Sequence, residues 1–237
     1  MTNQQLPLEL VTQEPPTFDN FVAGPNGEAV AALRRFATGE CVDTGIVLWG
    51  APGAGKTHLL HATVAAAKHA GRIARYIAQP AQVDADPCST ASLVCVDVVD
   101  GADPKAQGRL FTLYNTLAAS RGHLVVAAGA APARLPLRDD LRTRLAHGLV
   151  YEVLTLADAD KAHALELYAR ERGFRLSTEV IDYLLAHGRR DMTTLVSMLA
   201  ALDRHSLAAK RPVTVPLLRD WMRRQTASSG GESNVIP

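Results

Sequence analysis

Cysteine is scarce in this sequence: three in 237 residues, Cys41, Cys88 and Cys95, an odd number with no C-x-x-C pairing. That excludes a disulfide framework and favours a reducing cytoplasm, with Cys95 read as a small buried hydrophobe. Net charge is nearly absent, with 25 Lys and Arg against 24 Asp and Glu. There is therefore no general pull toward nucleic acid or membrane, and any such contact needs a local patch or a partner. No basic and apolar leader opens the sequence, and no run approaches roughly 18 uninterrupted apolar residues, so the protein is expected to be neither secreted nor membrane-spanning. No internal repeat is found. What remains is ordinary globular material, 47% apolar and 21% charged, sufficient for one α/β domain with a smaller appendage.

The segment Ile46–Thr57, IVLWGAPGAGKT, is an apolar run leading into Gly50, Ala51, Pro52, Gly53, Ala54, Gly55, Lys56 and Thr57. The glycine spacing and terminal Lys-Thr are those of a phosphate-binding P-loop. Backbone N–H groups curl around the α and β phosphates, Lys56 reaches the β and γ phosphates, and Thr57 faces Mg²⁺ at the start of a helix whose dipole favours anions. The context fits, with a buried strand before it over 46–49 and a helix after it over 57–70. His58 follows in the first helical turn. His58 and His61 are three apart, but neither Cys nor carboxylate joins them nearby, so they read as surface or supporting side chains and not as a metal site.

Further strands are expected over 72–78, 93–97, 124–128 and 150–154, nearly all apolar in the middle as strands covered on both faces should be. Gly24-Pro25-Asn26-Gly27 marks a turn before a helix over 28–38, and Pro104 opens another through Ser120. Alternation of strands and helices predicts a parallel sheet with right-handed crossovers. From Asp158 the strands stop. Helices are expected from Asp158 as N-cap through Arg172, from Ser177 through Ala186, and from Asp191 through about Ala208. A last helix carries Leu217, Leu218, Trp221 and Met222 opposite Arg219, Arg223 and Arg224. These basic faces, like Arg170, Arg172 and Arg175, read as solvated.

Leu93–Asp97, LVCVD, ends on the carboxylate that a P-loop needs on a neighbouring strand to hold Mg²⁺ through water. A second acid normally follows to orient the attacking water, and here that position is Val98. Asp100 lies three residues beyond Asp97, where the strand is expected to have ended. Binding is supported; fast hydrolysis is not.

Together these motifs resemble an AAA+ module, an α/β fold with a five-stranded parallel sheet and a small C-terminal all-α lid. Pro16–Val22, PTFDNFV, is similar to the segment before the nucleotide fold of the replication initiator DnaA, which implies that Phe21 and Val22 line the adenine pocket. Arg190-Asp191-Met192-x-x-Leu195, Leu202-Asp203-Arg204 and Pro212–Leu217 resemble the DnaA-related regulatory inactivator Hda family, and the likeness covers residues 5 to about 225. Gln5-Leu6-Pro7-Leu8-Glu9-Leu10 is similar to peptides that bind the replicative sliding clamp, with Gln5 hydrogen-bonding and Leu6, Leu8 and Leu10 in an apolar pocket.

The resemblance implies an arginine finger at Arg144, with Arg142 in reserve. Two of its other polar positions fall on Gly129 and Thr193; near Thr193, Arg189 and Arg190 could substitute. Initiators continue into a helix-turn-helix domain, and the resemblance implies a protein expected to lack that DNA-reading part. The implied protein binds ADP or ATP with Mg²⁺, most naturally ADP. Its partners are DnaA and the clamp, DNA is met mainly through the clamp, no membrane is involved, and self-association is open. It would promote hydrolysis of DnaA-bound ATP at the replisome and prevent re-initiation. The alternative is an autonomous DnaA-like ATPase acting as a loading or assembly factor, and a P-loop phosphotransferase would leave the lid and the lead unexplained. The implied organisation is a flexible peptide over 1–17, the nucleotide domain over 18–156, the lid over 157–226 and a disordered tail over 227–237.

Overall fold

The computed structural model describes residues 15–84, 91–187, 191–209 and 211–229. The chain divides into two compact units at Leu156/Ala157. In the first, five strands, β1 (Gly45–Trp49), β2 (Ala74–Ile77), β3 (Leu93–Val96), β4 (His123–Ala128) and β5 (Leu149–Glu152), form one parallel sheet in the order β2-β3-β4-β1-β5. Helices α1 (Gly27–Thr38) and α2 (Lys56–His69) pack on one face, α3 (Pro104–Ala119) and α4 (Asp139–Ala146) on the other. The period-two alternation of a strand divides its side chains between the two cores. Ile46, Leu48, Cys95, Val125 and Ala127 join Leu33, Phe36, Leu59 and Leu60 in the first core. Val47, Val94, Val96, Leu124 and Val126 join Leu110, Leu113, Leu117 and Leu141 in the second. Each fully buried leucine contributes roughly 1.5–3 kcal/mol of transfer free energy.

Local chemistry sets the ends of these elements. Asp103 caps α3 by accepting from the Ala106 N–H at 2.6 Å. The strand expected over 72–78 begins only at Ala74, because Arg72 is used differently. Its guanidinium donates to the carbonyls of Phe36, Ala37 and Ser92 and to Nδ1 of His123. The strand expected over 150–154 ends at Glu152. There the Asn26 amide substitutes for a neighbouring strand, accepting from the Leu154 N–H at 2.8 Å and donating to the Leu154 carbonyl at 2.9 Å.

The second unit holds α5 (Asp158–Glu171), α6 (Thr178–His187), α7 (Met192–Ala209) and α8 (Val215–Ser229). Their apolar stripes meet in a core of Leu165, Val180, Ile181, Leu184, Leu195, Leu199, Leu202, Leu217 and Leu218. Asp191 starts α7 by accepting from the Thr194 N–H at 2.9 Å. Asp158 is not the cap of α5. Ala157 has the extended cap conformation and Asp158 lies in the first turn, where its carboxylate meets the buried Lys161 ammonium at 3.3 Å. α8 runs to Ser229, past residue 226 where the lid was expected to end. Gln5, Leu6, Leu8, Leu10, Cys88, Arg189 and Arg190 lie outside the described residues.

Candidate nucleotide site

The loop between β1 and α2 leaves the C-terminal end of the sheet beside its central strand. Gly50 has φ 148° and Gly55 φ 99°, a region that side-chain-bearing residues rarely enter. A Cβ on Gly50 would also stand 2.4 Å from the Val153 carbonyl oxygen, and one on Gly55 would stand 2.7 Å from the Phe21 ring. Between them Ala51, Pro52 and Gly53 are exposed and Ala54 is buried, its N–H donating to the Ala51 carbonyl. Lys56 folds back over the loop and donates to the carbonyls of Gly50 at 2.6 Å and Ala51 at 2.9 Å. Burial lowers its pKa, while the Asp97 and Asp100 carboxylates push it up.

Thr57 and Asp97, forty positions apart, are brought into direct contact. The Thr57 hydroxyl donates to Asp97 Oδ2 at 2.6 Å, and Oδ1 accepts from the Val98 N–H at 2.9 Å. Asp97 is 5% exposed. Hard oxygen donors in this arrangement, one hydroxyl and one carboxylate at the start of a helix, suit Mg²⁺ with retained waters. The structure adds one residue that the motif pattern missed. Tyr76, on β2, donates its hydroxyl to the same Asp97 Oδ2 at 3.1 Å, and its ring packs on His61 of α2 with centroids 3.9 Å apart. Burial and then Asp97 push the Tyr76 pKa up to about 12. The only hint in the sequence was a tyrosine beside Arg75 in a short strand.

Phe21 lies against Gly55, with its ring centroid 5.4 Å from that of His58, and Val22 beside it is half-buried. His58 Nε2 bonds the Thr17 carbonyl at 2.9 Å, so the lead segment is tied to the P-loop helix. Burial, first, lowers the His58 pKa. Past Asp97, Val98 is 55% exposed and left-handed at φ 52°, ψ 48°, an outlier for a β-branched residue. The turn it makes carries Asp100 back over the sheet, where both carboxylate oxygens accept from the Gly129 N–H at 2.9 Å. The place after β4 that has no side chain of its own thus faces the Asp100 carboxylate.

Arg142 and Arg144 differ in engagement. Arg142 pairs with Asp139 at 2.5 Å and reaches the Leu137 carbonyl. Arg144, in the last turn of α4, is exposed and has no hydrogen-bond or ion-pair partner among the described residues. It lines a shallow depression with Phe111, Asp139, Asp140, Thr143 and His147. No helix among the described residues is long and apolar enough to cross a membrane.

Two family models match the chain: "Bacterial DnaA ATPase domain" over residues 12–80 and "Hda, lid domain" over residues 158–222. Among solved structures, domain III of the Thermotoga maritima replication initiation protein DnaA is 20% identical with a TM-score of 0.69, covering 85% of this chain and 93% of that one. AMPPCP-bound DnaA from Aquifex aeolicus is 22% identical with a TM-score of 0.66, covering 81% and 66%. Thermotoga maritima RuvB is 15% identical with a TM-score of 0.65, covering 88% and 72%. At these identities the structural likenesses speak for the fold alone. With residues 12–80 matching the DnaA ATPase domain and residues 158–222 the Hda lid, the chain is a DnaA-like AAA+ protein that carries an Hda-type lid.

Proposed function

We propose that this protein is a clamp-tethered regulator of replication initiation. Gly50–Thr57 and Asp97 hold a nucleotide, ADP, as a resident ligand. Gln5, Leu6, Leu8 and Leu10 dock on the DNA-loaded sliding clamp, and Arg144 enters the ATP site of DnaA. Hydrolysis there converts the initiator to its ADP form and prevents re-initiation. The setting is the cytoplasm, at the replisome.

The observation that carries this reading is the contrast within α4. Arg142 is neutralised by its own helix, while Arg144 has no partner among the described residues and lines an open depression. A guanidinium supplied in trans stabilises charge on the transferring phosphoryl and is worth ~10³ to 10⁵ in rate. In the protein's own site, Lys56 would leave the loop carbonyls for the phosphates. Mg²⁺, when bound, would be held by Thr57 and, through water, Asp97, and would neutralise phosphate charge. Phe21 and His58 order the lead beside the loop. Val98 offers no group to orient a water, so turnover in this site is slow.

The test follows hydrolysis of DnaA-bound ATP on clamp-loaded DNA with the intact protein, Arg144→Ala, and a deletion of residues 5–10. The intact protein accelerates hydrolysis. Arg144→Ala loses about 10³-fold of that acceleration, and the deletion loses it at low protein concentration while regaining part at high concentration. Full activity in both variants would refute the trans-arginine and tethering reading.

A further inference from the structure

We infer that Asp100 sets which nucleotide this site keeps: its carboxylate, fixed on the main-chain N–H at the end of β4, disfavours a third phosphate and selects a nucleoside diphosphate over a triphosphate. The inference rests on the reading that Gly50–Thr57 binds a nucleotide.

The sheet register places the groups. Trp49 of β1 pairs with Ala128 of β4, so the next residues, Gly50 and Gly129, open adjacent strand ends about 4.8 Å apart. Lys56 donates to the Gly50 carbonyl at 2.6 Å. On the neighbouring strand end, Asp100 takes the Gly129 N–H with both oxygens at 2.9 Å. The ammonium that reaches the terminal phosphates and the Asp100 carboxylate are thus near enough to act on each other electrostatically.

The backbone is bent to achieve this. Val98 is left-handed, a conformation costing roughly 1–3 kcal/mol for such a residue. The short 3₁₀ turn Val99–Gly101 follows directly and aims Asp100 back at β4. The result inverts what a terminal phosphate needs. A main-chain donor at that end is consumed by Asp100, and an ionised carboxylate has no proton to donate in its place. It adds a like charge instead. At an effective dielectric near 20, two such charges about 7 Å apart, partly screened by salt, change an equilibrium by about five- to tenfold.

Calorimetric titration tests the inference with ADP and with a non-hydrolysable ATP analogue, both with Mg²⁺. The proteins are the intact chain, Asp100→Asn, Asp100→Ser and, as a control, Lys56→Ala, with thermal melting to confirm folding. The intact chain should favour ADP. Both Asp100 variants should gain about five- to tenfold in affinity for the analogue while ADP affinity stays within about twofold. An unchanged ratio of the two affinities overturns the inference. So does a variant that merely loses slow ATP turnover at an unchanged ratio, which makes Asp100 a general base. Lys56→Ala should bind both nucleotides about 100-fold more weakly; if the intact chain binds neither, the nucleotide reading falls and the Asp100 inference with it.

Discussion

The two ends of the sheet both gather polar side chains around strand termini, but they do so differently. At the N-terminal end, Arg72 donates to three carbonyls and to His123 Nδ1, and His123 Nε2 donates to the Cys41 carbonyl at 3.1 Å. The Ala37 carbonyl at the end of α1 finds its donor there, and the Phe36 carbonyl a second one beside the Gly39 N–H. At the C-terminal end, Lys56 donates to carbonyls of its own loop, Thr57 and Tyr76 share one oxygen of Asp97, and Asp100 holds Gly129 through a strained Val98. Lys56 and Thr57 have partners there that a phosphate and a metal can replace. Satisfied polar groups mark a structural end when no ligand could take their place, and a binding end when one could.

Substitutions can break this contrast, and the largest effect is expected at the static end. Arg72→Ala leaves the Ala37 carbonyl and His123 Nδ1 without their donor and takes one donor each from the Phe36 and Ser92 carbonyls, which keep the Gly39 and His123 N–H groups. It should lower unfolding free energy in urea by about 3 kcal/mol, with nucleotide affinity in the surviving folded protein little changed. Lys56→Ala should do the reverse. It should weaken nucleotide binding by about 100-fold in titration calorimetry, from loss of a charge-assisted phosphate contact, while unliganded stability moves by less than about 0.5 kcal/mol. Val98→Gly relieves the left-handed strain and should stabilise the unliganded protein by about 1 kcal/mol in the same urea measurement.

The smallest effect is on pH dependence. Burial, with Arg72 adding to it, lowers the His123 pKa below 6.5, against hydrogen bonds to the Cys41 and Ser92 carbonyls that raise it. Below its ordinary pKa the unfolded chain takes up a proton that the folded chain refuses. The stability from neutral His123 is therefore complete above about pH 6.5 and is lost as pH falls toward the folded value. The urea midpoint should decline from about pH 7 to about pH 5, and His123→Gln should flatten that decline.

Much of this was legible in the sequence. The P-loop and the LVCVD strand are contiguous patterns whose periodicity and glycine spacing carry their own physics. The lid helices announced themselves through apolar stripes at Ile181, Leu184, Leu195, Leu199 and Leu202. What was not legible depends on single side chains meeting across the fold. Tyr76 reaches Asp97 from another strand, Asp100 reaches Gly129 across 29 positions, and Arg72 reaches His123 across 51. No local period encodes such pairs. The Arg72 fork also explains why β2 starts late, and the Asn26 amide why β5 stops early. The strand had ended before Asp100, as expected, but its contact with Gly129 depends on the turn at Val98, and nothing in valine's ordinary preferences suggests a left-handed residue.

The central claim is that the nucleotide end keeps a nucleotide without consuming it. Steady-state ATP hydrolysis by the purified protein alone, without DnaA, clamp or DNA, tests this most directly. The account predicts turnover below about 10⁻² s⁻¹, the range of nucleotide sites that lack a completing group. Turnover of several per second, typical of a working enzyme, would contradict it.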